Sequence, residues 1–388
     1  MSNTESARNK LEGLQVLRGV AALLVLWCHL KYYLGRDWHS FSNVPFLGTD
    51  LGAIGVDIFF VISGFVISMT AAKAGIDWRT FLASRVARIV PLYFTISTLA
   101  GLEFISGYPG GQVSGTAIFD TYAFIPMLEG LNFTGPILVN GWTLSFEMWF
   151  YLCFAGLLKL GSVRRAWLLL LFFFLAGMAA NLAFNQWAWY LPKFLFHPMT
   201  LEFCAGCILY HTRNRIGNAP LYIMGGLSLL FLYLACDSSY LGRHLVIMNY
   251  EDAAWHRTIV WGGFATCLVG VMSQIDLRCS WKWPRFLLLL GDASYSIYLV
   301  PILFVTTFEM GIDLLSKIAG HDLTPPPLWY GSIYILGSVA AGIACWKFFE
   351  LPSTSLARRF LSRFLPDKLE KQSALAGQPT NETLAMGN

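Results

Sequence analysis

Long apolar runs separated by short polar turns set the plan of this chain. Runs able to cross about 30 Å of hydrocarbon fall at about 14–34, 52–72, 85–104, 142–161, 165–184, 192–211, 219–236, 256–273, 286–310 and 328–348. They predict an all-α polytopic membrane protein, a bundle of about ten transmembrane helices filling residues 1–350. Residues 351–388 are polar and are expected to form a tail that is disordered past Asp367. Two of the loops are long. Residues 105–141 are rich in Gly and Pro and enclose an apolar piece able to re-enter the membrane. Residues 237–257 carry Asp237, Ser238, Ser239, Tyr240, Arg243, His244, Glu251, Asp252 and His256. Loops of this length are uncommon unless they bind something. No internal repeat and no appended soluble domain is visible.

Composition agrees with the pattern. Of 388 residues, 56% are hydrophobic and only 13% charged, about half the charged share of a soluble domain. The net charge of +4 is too small to suggest nucleic acid, and the cations sit in short loops. Arg8, Lys10, Lys73, Arg79, Arg85, Arg88, Lys159, Arg164, Arg165, Arg213, Arg215, Arg278, Lys282, Arg285 and the basic tail fall on alternate loops. The opposite loops hold only Lys31, Arg36, Lys193, Arg243, Arg257 and Lys317. The positive-inside rule then places both termini in the cytoplasm of a chain held in the cytoplasmic (inner) membrane. No small-residue cleavage site follows the first apolar run, so that helix is expected to be retained. The eight cysteines are scattered through apolar runs and read as small hydrophobes. Cys204 and Cys207 form a C-x-x-C, but with no second pair a zinc or redox site is not expected, and no metal is. Asn132 and Asn381 each begin a glycosylation sequon, a pattern short enough to arise by chance.

Charge inside the apolar runs points to chemistry. The stretch LQVLRGVAALLVLWCHL, residues 14–30, carries Arg18 and His29 eleven positions apart. At about 100° per residue the two lie within roughly 20° of one another, three turns apart on one helical face. Ionisable groups in a span usually face a bundle interior or a wet cavity. One face of the first helix is therefore expected to point both groups into one interior channel. Each has a structural alternative: Arg18 can snorkel to the headgroups, and His29 can be a satisfied core histidine.

Asp57, in GVDIFFVISGFVIS, and Glu147, in WTLSFEMWFY, each fall about 8 Å below the outer face by helix counting. With His29 they would form one layer holding a base and the carboxylates that orient it. The alternative for Asp57 is an interface residue bonded to a neighbouring loop. Arg85 and Arg88, three apart in FLASRVARIVPLYF, share a face and with Arg18 would make a basic mouth for a phosphorylated ligand. Alone, they would read as topology anchors. Trp142 and Tyr151 flank Glu147, and either can be aromatic belt or core packing. Ser63 and Gly64 can ease close helix packing. Tyr295 and Tyr298, in GDASYSIYLV, carry hydroxyls that need partners at that depth. Glu202 reads equally as a pathway carboxylate or a helix–helix contact, and Glu350 as a boundary salt bridge.

Taken in order, LRGVAALLVLWCH, GVDIFFVISGFVIS, SRVARIVPLYF, WTLSFEMWFY, LEFCAG and GDASYSIYLV resemble the membrane-bound acyltransferase family 3, which O-acylates carbohydrates. The resemblance implies an acyl donor, usually acetyl-CoA, held from the cytoplasmic side, and a sugar hydroxyl on the other side as acceptor. It implies Arg18 and His29 as an essential pair, Arg85 and Arg88 as donor-side groups, and Glu147 as a site carboxylate. Some members carry a fused hydrolase-like domain; this chain is expected to be the stand-alone type associated with exopolysaccharide, O-antigen or lipo-oligosaccharide. Many relatives place a histidine where this chain has Pro301, which puts more weight on His29.

The expected activity is O-acetyl transfer from acetyl-CoA to a surface glycan, catalysed by His29 with Glu147 and Asp57. Arg18, Arg85 and Arg88 would hold donor phosphates, and Trp142, Tyr151, Tyr295 and Tyr298 would line the substrate path. The partners are the acyl-CoA, the glycan, the bilayer and possible polysaccharide-assembly machinery. Two rivals remain: a transporter of a glycan or small anion with no covalent step, and the same chemistry with succinyl or another acyl donor.

Overall fold

Each of the ten apolar runs is helical, as it must be where lipid leaves backbone N–H and C=O groups no other partner. The structure, a computed structural model, describes residues 11–34, 50–72, 76–105, 113–125, 128–129, 132–133, 136–138, 140–160, 166–183, 190–236, 252–279 and 281–365. The tail past 365, with Asn381, lies outside the described residues. So do most of the loop at 237–257 and the orienting cations Arg8, Lys10, Arg36, Lys73, Arg164, Arg165 and Arg243.

The helices are α1 (Glu12–Leu34), α2 (Ile54–Ala71), α3 (Trp78–Ile105), α4 (Gly115–Ala123), α5 (Gly141–Lys159), α6 (Ala166–Ala183), α7 (Tyr190–Leu195), α8 (Thr200–Thr212) and α9 (Asn218–Cys236). After them come α10 (Asp252–Arg257), α11 (Gly263–Arg278), α12 (Arg285–Asp292), α13 (Ser294–Ala319), α14 (Pro327–Cys345) and α15 (Leu351–Ser362). A π turn joins α10 to α11 and another joins α14 to α15. The only strands among the described residues are a hairpin of two two-residue pieces, Leu128–Glu129 and Asn132–Phe133.

Eight described segments are long and apolar enough to span a membrane. The other two expected positions are α5 and the α7–α8 pair. Helix α5 is diluted by its Trp, Tyr, Ser and Glu residues, and α8, with 13 residues, is only about 20 Å long. Both are interior elements. α8 lies against α2 so closely that a Cβ on Gly64 would fall 1.9 Å from the Phe203 carbonyl oxygen. One on Gly206 would fall 2.0 Å from that of Val61. Small residues at such crossings let helix backbones touch in lipid. Phe60 stacks on Phe203 at 4.4 Å, and Phe203 on Phe150 at 4.6 Å, tying α2, α8 and α5 together.

Three features place the site. Asp276 caps α1 by accepting from the Gly13 and Leu14 N–H groups at 2.7 and 3.1 Å, a carboxylate at the positive helix end. The segment around α4 folds down beside α3: Tyr122 bonds Thr98 at 2.6 Å, and Phe124 packs on Tyr93 and Phe94. Helix α5 therefore starts deep, with Gly141 against the Tyr93 ring, twelve residues and about 18 Å short of the end of α3.

Candidate active site

Five helices enclose a cavity of about 100 Å³. α1 contributes Arg18; α2 contributes Val56, Phe59, Ser63 and Val66; α3 contributes Arg85 and Arg88; α5 contributes Thr143, Glu147 and Tyr151; α13 contributes Tyr295 and Tyr298. Seven of the ten residues expected to catalyse, to hold the donor or to line its path thus meet in one space.

Glu147 is its most constrained group. Its Oε1 accepts from the Ser63 hydroxyl at 2.8 Å and from the Tyr151 hydroxyl one turn along α5. Ser63 therefore does more than ease packing, while its neighbour Gly64 makes the close helix crossing. With both donors on one oxygen, the carboxylate is fixed in orientation, a prerequisite for positioning a reacting proton. The guanidiniums lie near it. Arg85 donates to the Thr70 hydroxyl at 2.8 Å and sits over the Phe81 and Tyr151 rings at 5.5 and 5.8 Å. Arg18 lies within electrostatic reach of Glu147, Glu350 and Arg88.

The tyrosine hydroxyls are engaged by protein. Tyr295 donates to the Ile89 carbonyl at 2.9 Å. Tyr298 meets the Thr143 hydroxyl at 2.8 Å and donates to the Asn140 carbonyl at 3.2 Å, while the Asn140 amide donates back to the Tyr298 carbonyl at 3.0 Å. These bonds clamp the deep start of α5 to α13, so both rings serve as fixed walls.

Three expected site residues lie elsewhere. Asp57 is fully buried and ion-paired to Arg257 at 2.8 Å. Six residues separate it from Ser63 on α2, about 9 Å along the axis and some 240° around it, so Asp57 and Glu147 occupy different faces and depths. A single layer of carboxylates, counted from helix starts, fails because α5 begins inside the bundle. Asp57 does not fit the expected role of a catalytic carboxylate. Trp142 is buried in the core, edge-on to Phe146 at 6.0 Å, and does not line the cavity. His29 does not line it either. Its Nδ1 lies 2.8 Å from the Val25 carbonyl, which can only accept, so Nδ1 carries hydrogen and in the neutral ring Nε2 is the basic nitrogen.

The open channel expected between Arg18 and His29 is therefore interrupted. The cavity reaches Val56, beside Gly55, whose Cβ position abuts Ala21 and Val25. Ala22, Val25 and Leu26 are packed in the core, and His29 sits one turn, about 6 Å, beyond Val25.

Several participants were not legible as such. Arg257 reads as a loop cation by its nearness to a span boundary, yet it is buried against Asp57, with its guanidinium over Trp261 at 4.7 Å. Its place in the apolar run AAWHRTIVWGG was the available signal. Glu350 is not a surface group: it is buried and accepts from Ser296 at 2.6 Å. Glu202 is buried within electrostatic reach of Asp57 and Arg257. Pro301 is buried inside α13, where it removes one helical hydrogen bond. Among the described residues no group of three or more His, Cys, Asp or Glu is placed to hold a metal ion.

The profile of the acyltransferase domain of acyltransferase family 3 matches residues 11–347, nearly the whole membrane region. The chain belongs to that family. As an acyltransferase it makes a covalent transfer of an O-acyl group, which removes the non-catalytic transporter as a reading. It is 31% identical over 315 residues to the exopolysaccharide production protein ExoZ of Rhizobium meliloti (strain 1021), covering 78% of this chain and 89% of ExoZ. It is 28% identical over 387 residues to the putative peptidoglycan O-acetyltransferase YrhL of Bacillus subtilis (strain 168), covering 91% of this chain but 56% of YrhL. A third relative, the acyltransferase MdmB of Streptomyces mycarofaciens, is 31% identical over 41% of this chain and 42% of its own length. No solved structure matches the acyltransferase.

Proposed function

We propose that this acyltransferase moves an acetyl group from acetyl-CoA on the cytoplasmic side to a hydroxyl of a surface or secreted glycan across the inner membrane. Exopolysaccharide, O-antigen and lipo-oligosaccharide are the acceptor class. Both termini would then be cytoplasmic, with polysaccharide-assembly machinery as the natural neighbour. The observation that carries the reading is Glu147, held by Ser63 and Tyr151 in a cavity that Arg18, Arg85 and Arg88 also line. The names of ExoZ and YrhL support the glycan and the acetyl group.

In this reading the guanidiniums bind the donor's phosphates and the thioester end lies toward Glu147 and Tyr298. The acceptor hydroxyl loses its proton to Nε2 of His29, and its oxygen bonds to the thioester carbonyl carbon. The carbon–sulfur bond breaks, and coenzyme A leaves as a thiolate that takes up a proton. Because the cavity stops one turn short of His29, the thioester advances past Val25 and Val56 before transfer. Arg18, on the same helix, answers the charge of the phosphates as the donor moves. The test is acetyl incorporation into glycan by membranes bearing His29→Ala or Arg18→Ala, read by the glycan's mass. Loss in both is expected; wild-type incorporation in both would end the assignment. Supplying succinyl-CoA in competition separates the donors.

A further inference from the structure

Helix α15 follows α14 and packs along α3, the helix that carries Arg85 and Arg88. Its exposed apolar residues Leu356 and Phe360 lie four positions apart on one stripe, and Phe364, just past the helix end, packs edge-on to Phe360. Arg358 lies about 160° round the axis from that stripe, half-buried, within electrostatic reach of Arg85 and Arg88. The next residue, Arg359, is exposed. Four guanidiniums, Arg18, Arg85, Arg88 and Arg358, therefore gather at this end of the cavity. Among the described residues the carboxylates within electrostatic reach of these guanidiniums are Glu147 and Glu350, two negative charges against four positive ones. Neither Arg88 nor Arg358 forms an ion pair among the described residues. Like charges held half-buried with too few counter-charges call for an anion, and planar guanidiniums suit phosphate oxygens.

We propose that Arg358 completes a phosphate-binding site with Arg85 and Arg88, and that the site takes the diphosphate of the donor nucleotide. The site rests on the proposed donor for its ligand but not for its existence. An excess of two charges matches a diphosphate. The apolar stripe, turned away from α3, keeps α15 at the membrane surface, so that the cation is presented to the donor's path.

The experiment uses the full chain, purified in detergent, with Arg358→Gln, Arg358→Lys and Arg359→Gln. Acetyl-CoA is compared with acetyl-pantetheine, which lacks the nucleotide and its diphosphate. Arg358→Gln is expected to raise KM for acetyl-CoA about tenfold, the worth of one charge-assisted hydrogen bond. It should leave kcat and the KM for acetyl-pantetheine unchanged. Arg358→Lys should recover most of the loss, and Arg359→Gln should match the parent. An equal rise for both donors, or the same loss in Gln and Lys variants, would overturn the proposal. Inorganic pyrophosphate binding supplies a readout independent of transfer. If Arg358→Gln weakens pyrophosphate binding but no acetyl-CoA is consumed by the parent, the phosphate site stands and the donor reading fails. In nanodiscs, a defect seen only as lost binding of phosphatidylglycerol would assign the site to lipid headgroups and overturn the donor assignment.

Discussion

Asp57 and Arg257 stand 200 residues apart in sequence, and their side chains meet at 2.8 Å with 0% and 4% exposure. The pair locks the start of α2 to the end of α10. A second bond from Arg257, to the Ala53 carbonyl at 3.3 Å, fixes the approach to α2. Breaking one half of a buried pair leaves an uncompensated charge, at a cost of about 3–5 kcal/mol. Asp57→Asn and Arg257→Met should each lower the midpoint of thermal unfolding in detergent, and the double variant should lower it by much less than the sum of the two. A double-mutant cycle that closes to zero would show that the pair is not coupled.

The contacts of Glu147 predict a graded series in transfer rate. Glu147→Gln should reduce kcat by about 100-fold, within the range for losing a group that orients the reacting centre. Tyr151→Phe and Ser63→Ala each remove one of two donors to the same oxygen and should cost about tenfold apiece. Initial rates of acetyl transfer in membranes, normalised to protein amount, check the order. If Ser63→Ala costs as much as Glu147→Gln, Ser63 does not act through the carboxylate.

Gly64 and Gly206 carry the crossing of α2 and α8. A methyl at either would fall within about 2 Å of a carbonyl oxygen on the other helix, so the backbones must part. Gly64→Ala and Gly206→Ala should sharply lower folded yield. Gly225, with nothing within 4 Å of its Cβ position, should accept alanine with no loss and a slight gain from helix propensity. Size-exclusion recovery of detergent-extracted protein separates these outcomes.

Apolar runs located the ten long helical stretches, because lipid leaves the backbone no alternative to helix; they did not show α4, inside an expected loop, or α15, which makes residues 351–362 of the expected tail an amphipathic helix packed on α3. They also read α5 and α8 as ordinary spans, since hydropathy cannot tell a helix that meets lipid from one buried among helices. The arginine pair on α3, Arg18 and Glu147 were legible for a simple reason: an ionisable residue in an apolar run has few places to go. The depth of Glu147 was not legible, because it depends on α4 and Phe124 packing beside α3. For the same reason Asp57 looked like its neighbour. Ser63, Arg257 and Glu350 were misread because each needs a partner far off in sequence, and spacing along one chain names no partner across helices.

The claim on which the rest turns is that the cavity between Arg18 and Glu147 receives the acyl donor. Val66 lines that cavity from α2, so Val66→Cys places a thiol in it without touching a charged group. The rate of maleimide labelling at that position, read by mass spectrometry, reports directly whether the space is filled. Saturating acetyl-CoA should slow labelling at least tenfold in the Val66→Cys protein, and by much less once Arg85 and Arg88 are also replaced by Gln. Labelling at an unchanged rate under saturating donor would contradict the account.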